Sequence, residues 1–314
     1  MASSDPRLPP GFRARPATRG DLPAIDELYR TSELALGVLP EERSSYLRWR
    51  WSQPYLDLAR DTRVVHRGEE LVAFAMGHRE DAGAGPLIGM GRVAPSHSSR
   101  GLGSWILEWY GRTAAARAAI AVRTGCPAED ERAHALLRAA GYARVRTSFD
   151  MGMDLTGSDE PGPPPPPSGV TLRPFRPGYD EQVLWQTATE AFRDHWDHEG
   201  DQSFESFMAE WFGDDDDPIE AVLAEADGRV VGEVGWVRVP AGAYVISVAV
   251  LAAYRRKGIG GALLRAAIAG AAAAALPHVS LSVDGANPTG AVGVYERAGM
   301  SVLRTVHLFD KELV

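Results

Sequence analysis

The chain has a single cysteine, Cys126, in 314 residues. No disulfide can form within it, and a reducing cytoplasm is the expected setting. No apolar run approaches the ~20 residues that a membrane-spanning helix needs. Met1–Pro10 holds Pro and Asp where a secretion signal would carry an apolar core, so export is not expected. Positive charge is also not in excess: 33 Lys and Arg against 42 Asp and Glu give a formal net charge of −9. That balance argues against general nucleic-acid binding. What is present, 45% hydrophobic and 24% charged residues, suits a water-soluble globular protein, and the length suits two domains with a core each.

The segment Thr156–Ser168 ends in five consecutive prolines, Pro163–Pro167. Proline supplies neither ladder donors nor a helix interior, so the segment reads as an extended spacer between domains. The flanking halves repeat each other. Phe12–Pro16 matches Val170–Pro174, Gly101-Leu102-Gly103 matches Gly258-Ile259-Gly260, and Ala139–Tyr142 matches Arg297–Met300. The three matches run in one order at an almost constant offset, which marks a tandem duplication. The expected organisation is a first domain at 1–157, a linker at 158–168 and a second domain at 169–314. Each copy reads as strand, helices, strands, helix, strand, helix, strands. The second is expected to close on an antiparallel pair within Met300–Leu313.

The most informative stretch is Tyr244–Leu264. An apolar β-branched run is followed by Arg255, Arg256 and Lys257, then Gly258 and Gly260, then an Ala/Leu-rich helix. A strand, a glycine turn and a helix start make an anion site, because the first helix amides have no partner and carry the positive end of the dipole. A phosphate-loop NTPase is excluded, since Lys257 precedes the glycines. A dinucleotide fingerprint lacks its third glycine.

What remains, Arg255, Gly258 and Gly260 behind a buried strand, resembles the acetyl-coenzyme A signature of the GNAT acetyltransferase superfamily. Asn287, Ala291, Tyr295 and Gly299 resemble the second motif of the same superfamily. The resemblance covers nearly all of both halves. It implies an α/β fold with a mixed sheet, two tandem GNAT-like domains, and acetyl-coenzyme A as acetyl donor. The donor would lie across Val248, Ala249 and Val250, then Arg255, Arg256, Lys257, Gly258, Ile259, Gly260 and Gly261, and reach Asn287. Backbone amides of Val248 and Val250 would pair with the pantetheine arm. Tyr295 would serve as the acid that assists the leaving thiolate. Glu233, a lone carboxylate in the apolar run Val230–Val237, is the leading candidate for the base, acting through water.

Ala191–Glu199 resembles the mycothiol synthase branch of tandem GNAT proteins, where it would border the acceptor pocket. As a plain sequence the same segment is a polar helix end. His195 and His198 beside Asp194 and Asp197 have metal-like spacing, but acetyl transfer needs no metal and none is expected. Asp214–Asp217 reads as a solvated turn. The acceptor is expected to be a small-molecule amine (a mycothiol precursor, amino sugar or polyamine) sooner than a protein, with no nucleic acid or membrane partner. The first copy departs from the pattern: Ser98 stands for Arg255, Glu129 for Asn287 and Leu137 for Tyr295. Catalysis is therefore expected in the second copy. The rival class is a non-catalytic acyl-coenzyme A sensor. Nucleotide phosphotransfer lacks both the lysine and a magnesium carboxylate.

Overall fold

A computed structural model describes residues 5–40, 43–53, 55–79, 85–156, 165–195, 201–212, 219–287 and 289–313. The chain divides into two compact units, Met1–Ser148 with Arg304–Val314, and Phe149–Leu303. The first runs β1 (Arg13–Arg15), α1 (Leu22–Ala35), α2 (Ser44–Ser52), α3 (Leu58–Asp61), β2 (Thr62–Arg67), β3 (Glu70–His78), β4 (Leu87–Val93), α4 (Leu102–Ala116), β5 (Ala121–Pro127), α5 (Glu131–Ala139) and β6 (Ala143–Asp154). The second runs β7 (Thr171–Pro174), α6 (Glu181–Phe192), α7 (Phe204–Phe212), β8 (Glu220–Ala226), β9 (Arg229–Val239), β10 (Gly242–Val250), α8 (Ile259–Ala273), β11 (His278–Asp284), α9 (Ala291–Arg297) and β12 (Ser301–Glu312).

Both units build the same mixed sheet. In the first, β1 to β4 are antiparallel in sequence order and β5 lies parallel to β4. In the second, β7 to β10 are antiparallel and β11 lies parallel to β10. The duplication extends to unusual backbone. Ser99 and Arg256, Gly101 and Gly258, and Ala118 and Ala275 all have positive φ at matching places. In each unit these residues bracket a 15-residue helix, α4 or α8. The second helix is apolar enough to be buried along one side, with Leu263, Leu264, Ala267 and Ala271 in the core of the unit. Among the described residues no helix is long and apolar enough to cross a membrane.

Two expectations need correction. The segment Met300–Leu313 holds one 12-residue strand in place of an antiparallel pair. It has no Gly, Pro or Asn to turn the chain, and Val306–Glu312 pairs instead with β5. The unit boundaries also differ from those expected at 157 and 169. Phe149–Asp154 of β6 counts with the second unit, and Arg304–Glu312 of β12 with the first. Both strands have 12 residues, about twice the usual strand length, so each runs from one unit into the other. The linker lies outside the described residues as far as 164, and Pro167 sits 3.4 Å from where a Cβ on Gly258 would be.

Each unit fastens its first strand to its first helix in the same way. Arg15 donates to Asp21 at 2.6 and 2.8 Å, and Arg173 donates to Asp180 at 2.6 and 3.0 Å. The Arg15 hydrogen bonds, helped by Thr18, hold Asp21 down at about 2 against burial. An unfolded aspartate titrates near 4, so this stabilisation is complete above about pH 4 and is lost as pH falls towards about 2. Asp21→Asn should cost about 1–2 kcal/mol at pH 7, a value reduced because Arg15 is half exposed. Urea unfolding at pH 7, 4 and 3 should show the deficit held to pH 4 and shrinking below it.

Candidate functional site

The site grows from the parting of two strands. β10 stays paired with β9 from Gly242↔Val239 to Val250↔Gly232, whereas its parallel pairing with β11 covers only Ala243↔Val279 and Tyr244↔Ser280. From Val245 onward, the edge that faced β11 has no ladder partner among the described residues. Leu251 N–H donates to Val231 at 2.9 Å, and antiparallel pairs alternate. The N–H and C=O groups of Val248 and Val250 therefore point away from β9, into the opening. These are the two residues that the sequence assigned to pantetheine. Their side chains face α8, where Val250 lies 3.7 Å from the Cβ position of Gly260.

At the end of β10 the chain passes through Ala252–Tyr254 to Arg256 (φ 64°) and Gly258 (φ 83°), which caps α8. Two left-handed residues either side of Lys257 turn successive amides towards one concavity, the geometry that cradles anions. Gly258, Ile259, Gly260 and Gly261 supply those amides. The three basic residues do not act alike. Arg256 and Lys257 are exposed, and the Lys257 ammonium lies 4.9 Å over the Tyr254 ring. Arg255 turns inward. It donates Nε to the Val250 carbonyl at 3.0 Å, Nη2 to the Ala191 carbonyl at 2.6 Å, and both Nη atoms to Asp194. Through these bonds the guanidinium, expected to meet a phosphate, braces the end of α6 to the end of β10. Asp194 is thereby an ion-pair partner, its carboxyl held below the usual range by Arg255.

The sequence missed one cation. Arg265 is the one charged residue of α8, and its Nη1 lies 3.3 Å from the Cβ position of Gly261, with its Nε buried and without a partner. The i to i+4 spacing from Gly261 on a helix was the available signal.

Glu233 and Tyr295, the expected base and acid, are near enough for the charge of one to be felt by the other. Glu233 sits on β9 opposite Ala249, fully buried. The Ser247 hydroxyl donates to its Oε1 at 2.5 Å, and Oε2 has no hydrogen-bond partner among the described residues. Burial lifts this carboxyl to about 7, with the Ser247 hydrogen bond opposing the rise. Tyr295 on α9 is also buried. Its phenol is pushed up to about 12 by burial and then by the charge of Glu233, so it keeps its proton at neutral pH. Val294 beside it reaches within 3.7 Å of the Cβ position of Gly261, which sets α9 against the glycine turn. Asn287 holds the entry to α9. Its Oδ1 accepts from Thr289 N at 2.9 Å and Thr289 Oγ1 at 2.6 Å, leaving only the amide NH2 for a ligand.

Among the described residues no group of three or more His, Cys, Asp or Glu gathers as a metal site. Trp196, Asp197, His198 and Asp214–Asp217 lie outside the described residues.

A family model described as Acetyltransferase (GNAT) family matches residues 182–300. The mycothiol acetyltransferase of Thermobispora bispora is 32% identical over 297 residues, covering 90% of this chain and 94% of that one. That of Acidothermus cellulolyticus is 31% identical over 70% of this chain and 69% of its own. Among solved structures, a GCN5-related N-acetyltransferase from Sphaerobacter thermophilus superposes with a TM-score of 0.84 at 29% identity, covering 98% of this chain and 97% of that one. A tandem GNAT protein from the clavulanic acid biosynthesis pathway, 18% identical, shares the fold with a TM-score of 0.75 over 96% and 98% of the two chains.

A buried carboxylate with one free oxygen is a cost to the fold. The pKa of Glu233 rises from 4.5 unfolded to about 7 folded. Stability is therefore whole below about pH 4.5 and lost as pH climbs through 7. Glu233→Gln removes the titration. The variant should match wild type near pH 4.5 and exceed it by about 2–3 kcal/mol at pH 8. Urea unfolding across that range measures the gap, and equal stability at both ends would show that the carboxylate finds compensation when charged.

Proposed function

Because the chain belongs to the GNAT acetyltransferase family, we propose that its second unit transfers the acetyl group of acetyl-coenzyme A to the amine of a small molecule. The pantetheine arm extends the sheet along the open edge at Val248 and Val250, and the pyrophosphate rests on the amides of Gly258–Gly261. Arg256, Lys257 and Arg265 supply the charge. Ala249, between Val248 and Val250, turns its own amide and carbonyl to β9, and its side chain lies on the face of Glu233.

The observation that carries the reading is the pair of opposed groups at one place, Glu233 lifted to about 7 and Tyr295 to about 12. A base near neutrality and a phenol that stays protonated are the two partners that aminolysis of a thioester requires. Glu233 takes one proton from the incoming ammonium, directly or through a water. The free amine attacks the thioester carbonyl, a C–N bond forms, and the C–S bond breaks. Tyr295 gives its proton to the departing sulfur, and the second nitrogen proton replaces it. The net products are an amide, free coenzyme A and one proton released through Glu233.

The first unit has neither group. Leu137 fills the place of Tyr295, and Phe74 opposite Arg92 takes the place of Glu233 opposite Ala249. The relatives of about one-third identity make a mycothiol-precursor amine the first acceptor to test. A cytoplasmic setting belongs to the same proposal, supported by the buried and unpaired Cys126.

The test is thiol release from acetyl-coenzyme A across a panel of amines that includes a mycothiol precursor, amino sugars and polyamines. Silence with every amine would overturn the reading of acceptor class. Tyr295→Phe keeps the ring and removes the hydroxyl, so kcat should fall ~10²–10⁴-fold with donor affinity little changed. In calorimetry, reversing charge at both Arg256 and Lys257 should weaken acetyl-coenzyme A binding by about 10–100-fold. Unchanged affinity would remove the phosphates from this turn.

A further inference from the structure

Strand β10 carries one residue more than its partner. Up to Val245↔Trp236 it pairs with β9 in one register, and from Ser247↔Gly235 in another, with Ile246 as the extra residue. The insertion reverses which face each side chain takes. Val245 lies on the face of Trp236, which packs 2.8 Å from the Cβ position of Gly270 on α8. Ser247, only two residues later, lies on the opposite face with Gly235, whose Cβ position meets Trp211 of α7 at 2.7 Å. Without the bulge, Ser247 would share the face of Val245 and point to α8. With it, the hydroxyl arrives beside Glu233 at 2.5 Å, in a position only 8% exposed. The first unit serves as an internal comparison. β3 and β4 hold one register from Ala73↔Val93 to His78↔Ile88 with no bulge, and the place of Ser247 is taken by Met90.

We infer that Ser247 is a positioning residue whose hydroxyl, delivered by the bulge at Ile246, fixes the Glu233 carboxylate and leaves Oε2 alone to receive the acceptor's proton. This rests on the reading of Glu233 as the base. A carboxylate that accepts one strong hydrogen bond at Oε1 cannot rotate freely, so the lone pairs of Oε2 keep one direction. The same bond favours the charged form in a place where burial opposes it. Few other groups compete for that control. The elements packed about β9 carry Glu181 and Glu190 on α6, Glu205 on α7, Glu220 and Glu225 on β8, Tyr244 on β10 and Arg265 on α8. Burial and the Ser247 hydrogen bond set the titration of Glu233, and Tyr295 on α9 senses its charge.

Ser247→Ala tests the inference in the ligand-free full chain, through the 13C shift of the Glu233 carboxyl as a function of pH. The wild-type midpoint is expected at about 7, and that of Ser247→Ala about one pH unit higher, the size of one hydrogen bond to a charged group. The acid limb of kcat/KM should move with it, giving about an eight-fold deficit at pH 6.5 that almost vanishes at pH 9. Ser247→Thr restores a hydroxyl on a strand-compatible residue and should return both midpoints. An unmoved midpoint and limb in Ser247→Ala, with Glu233→Gln still inactive, would overturn the role of Ser247 alone. Full activity in Glu233→Gln would instead remove Glu233 as the base, and this inference with it.

Discussion

Parallel strands satisfy each other's backbone only while they remain side by side, and β10 leaves β11 after Tyr244. Everything at the site follows from that departure. Val248 and Val250 keep β9 on one side and turn polar groups into open space on the other, where an edge without a partner invites an added strand. The edge is closed at its far end by the chain itself, because Arg255 caps the Val250 carbonyl. A ligand strand therefore has a fixed length in which to pair before it meets the glycine turn. The brace to Ala191 and Asp194 makes the end of α6 part of the same frame. A residue of the signature motif thus spends its side chain on the protein and holds the turn in place.

The second constraint is energetic. A buried carboxylate with one unpartnered oxygen destabilises the folded state, and a single serine bond offsets only part of that cost. Stability alone would favour the arrangement of the first unit, where Phe74 fills the corresponding place and is fully buried. The second unit instead keeps a group whose pKa is poised where a proton can be both taken and returned. Perturbation of this kind, felt by a neighbouring phenol and set beside an open backbone edge, is what the proposed acetyl transfer would use.

How much of this was legible in the residues depended on the range of the interaction involved. Asp227-Gly228 reads as a hairpin turn and is one, with φ of 52° and 74°. Gly258 reads as a helix start reached through left-handed backbone, and it caps α8. Tyr295 came from the family resemblance and Glu233 from being the lone carboxylate of an apolar run; 62 positions of sequence separate them and no local pattern joins them. What sequence could not supply was direction. Arg255 turns inward because Ala191 and Asp194 happen to lie there, a tertiary fact that local charge counting misreads. The bulge at Ile246 has neither glycine nor proline to announce it. The run Ser301–Glu312 looked like two short strands by length, and only its partner β5 shows it to be one.

The two copies together show how far one fold can keep its backbone while its side chains change. Both keep the parting of the parallel strands, since β4 and β5 pair only over Leu87–Gly89. Both keep the left-handed cap, at Gly101 and Gly258. These are backbone features, fixed by strand twist and turn geometry, and they survive almost any change of side chain. The proposed chemistry rests on a finer difference between the copies, one inserted residue and three identities. An extra residue in β10 brings a serine to the face where β9 carries a glutamate, while β4 stays in register and offers Met90 to a strand that carries Phe74. Leu137 then has nothing to assist, and it packs into the core of the first unit. Restoring a tyrosine there would add a phenol beside an apolar surface with no base to feed it. The register of β10, shifted at one exposed isoleucine, therefore brings the Ser247 hydroxyl to Glu233 in the second copy, where the first has neither group.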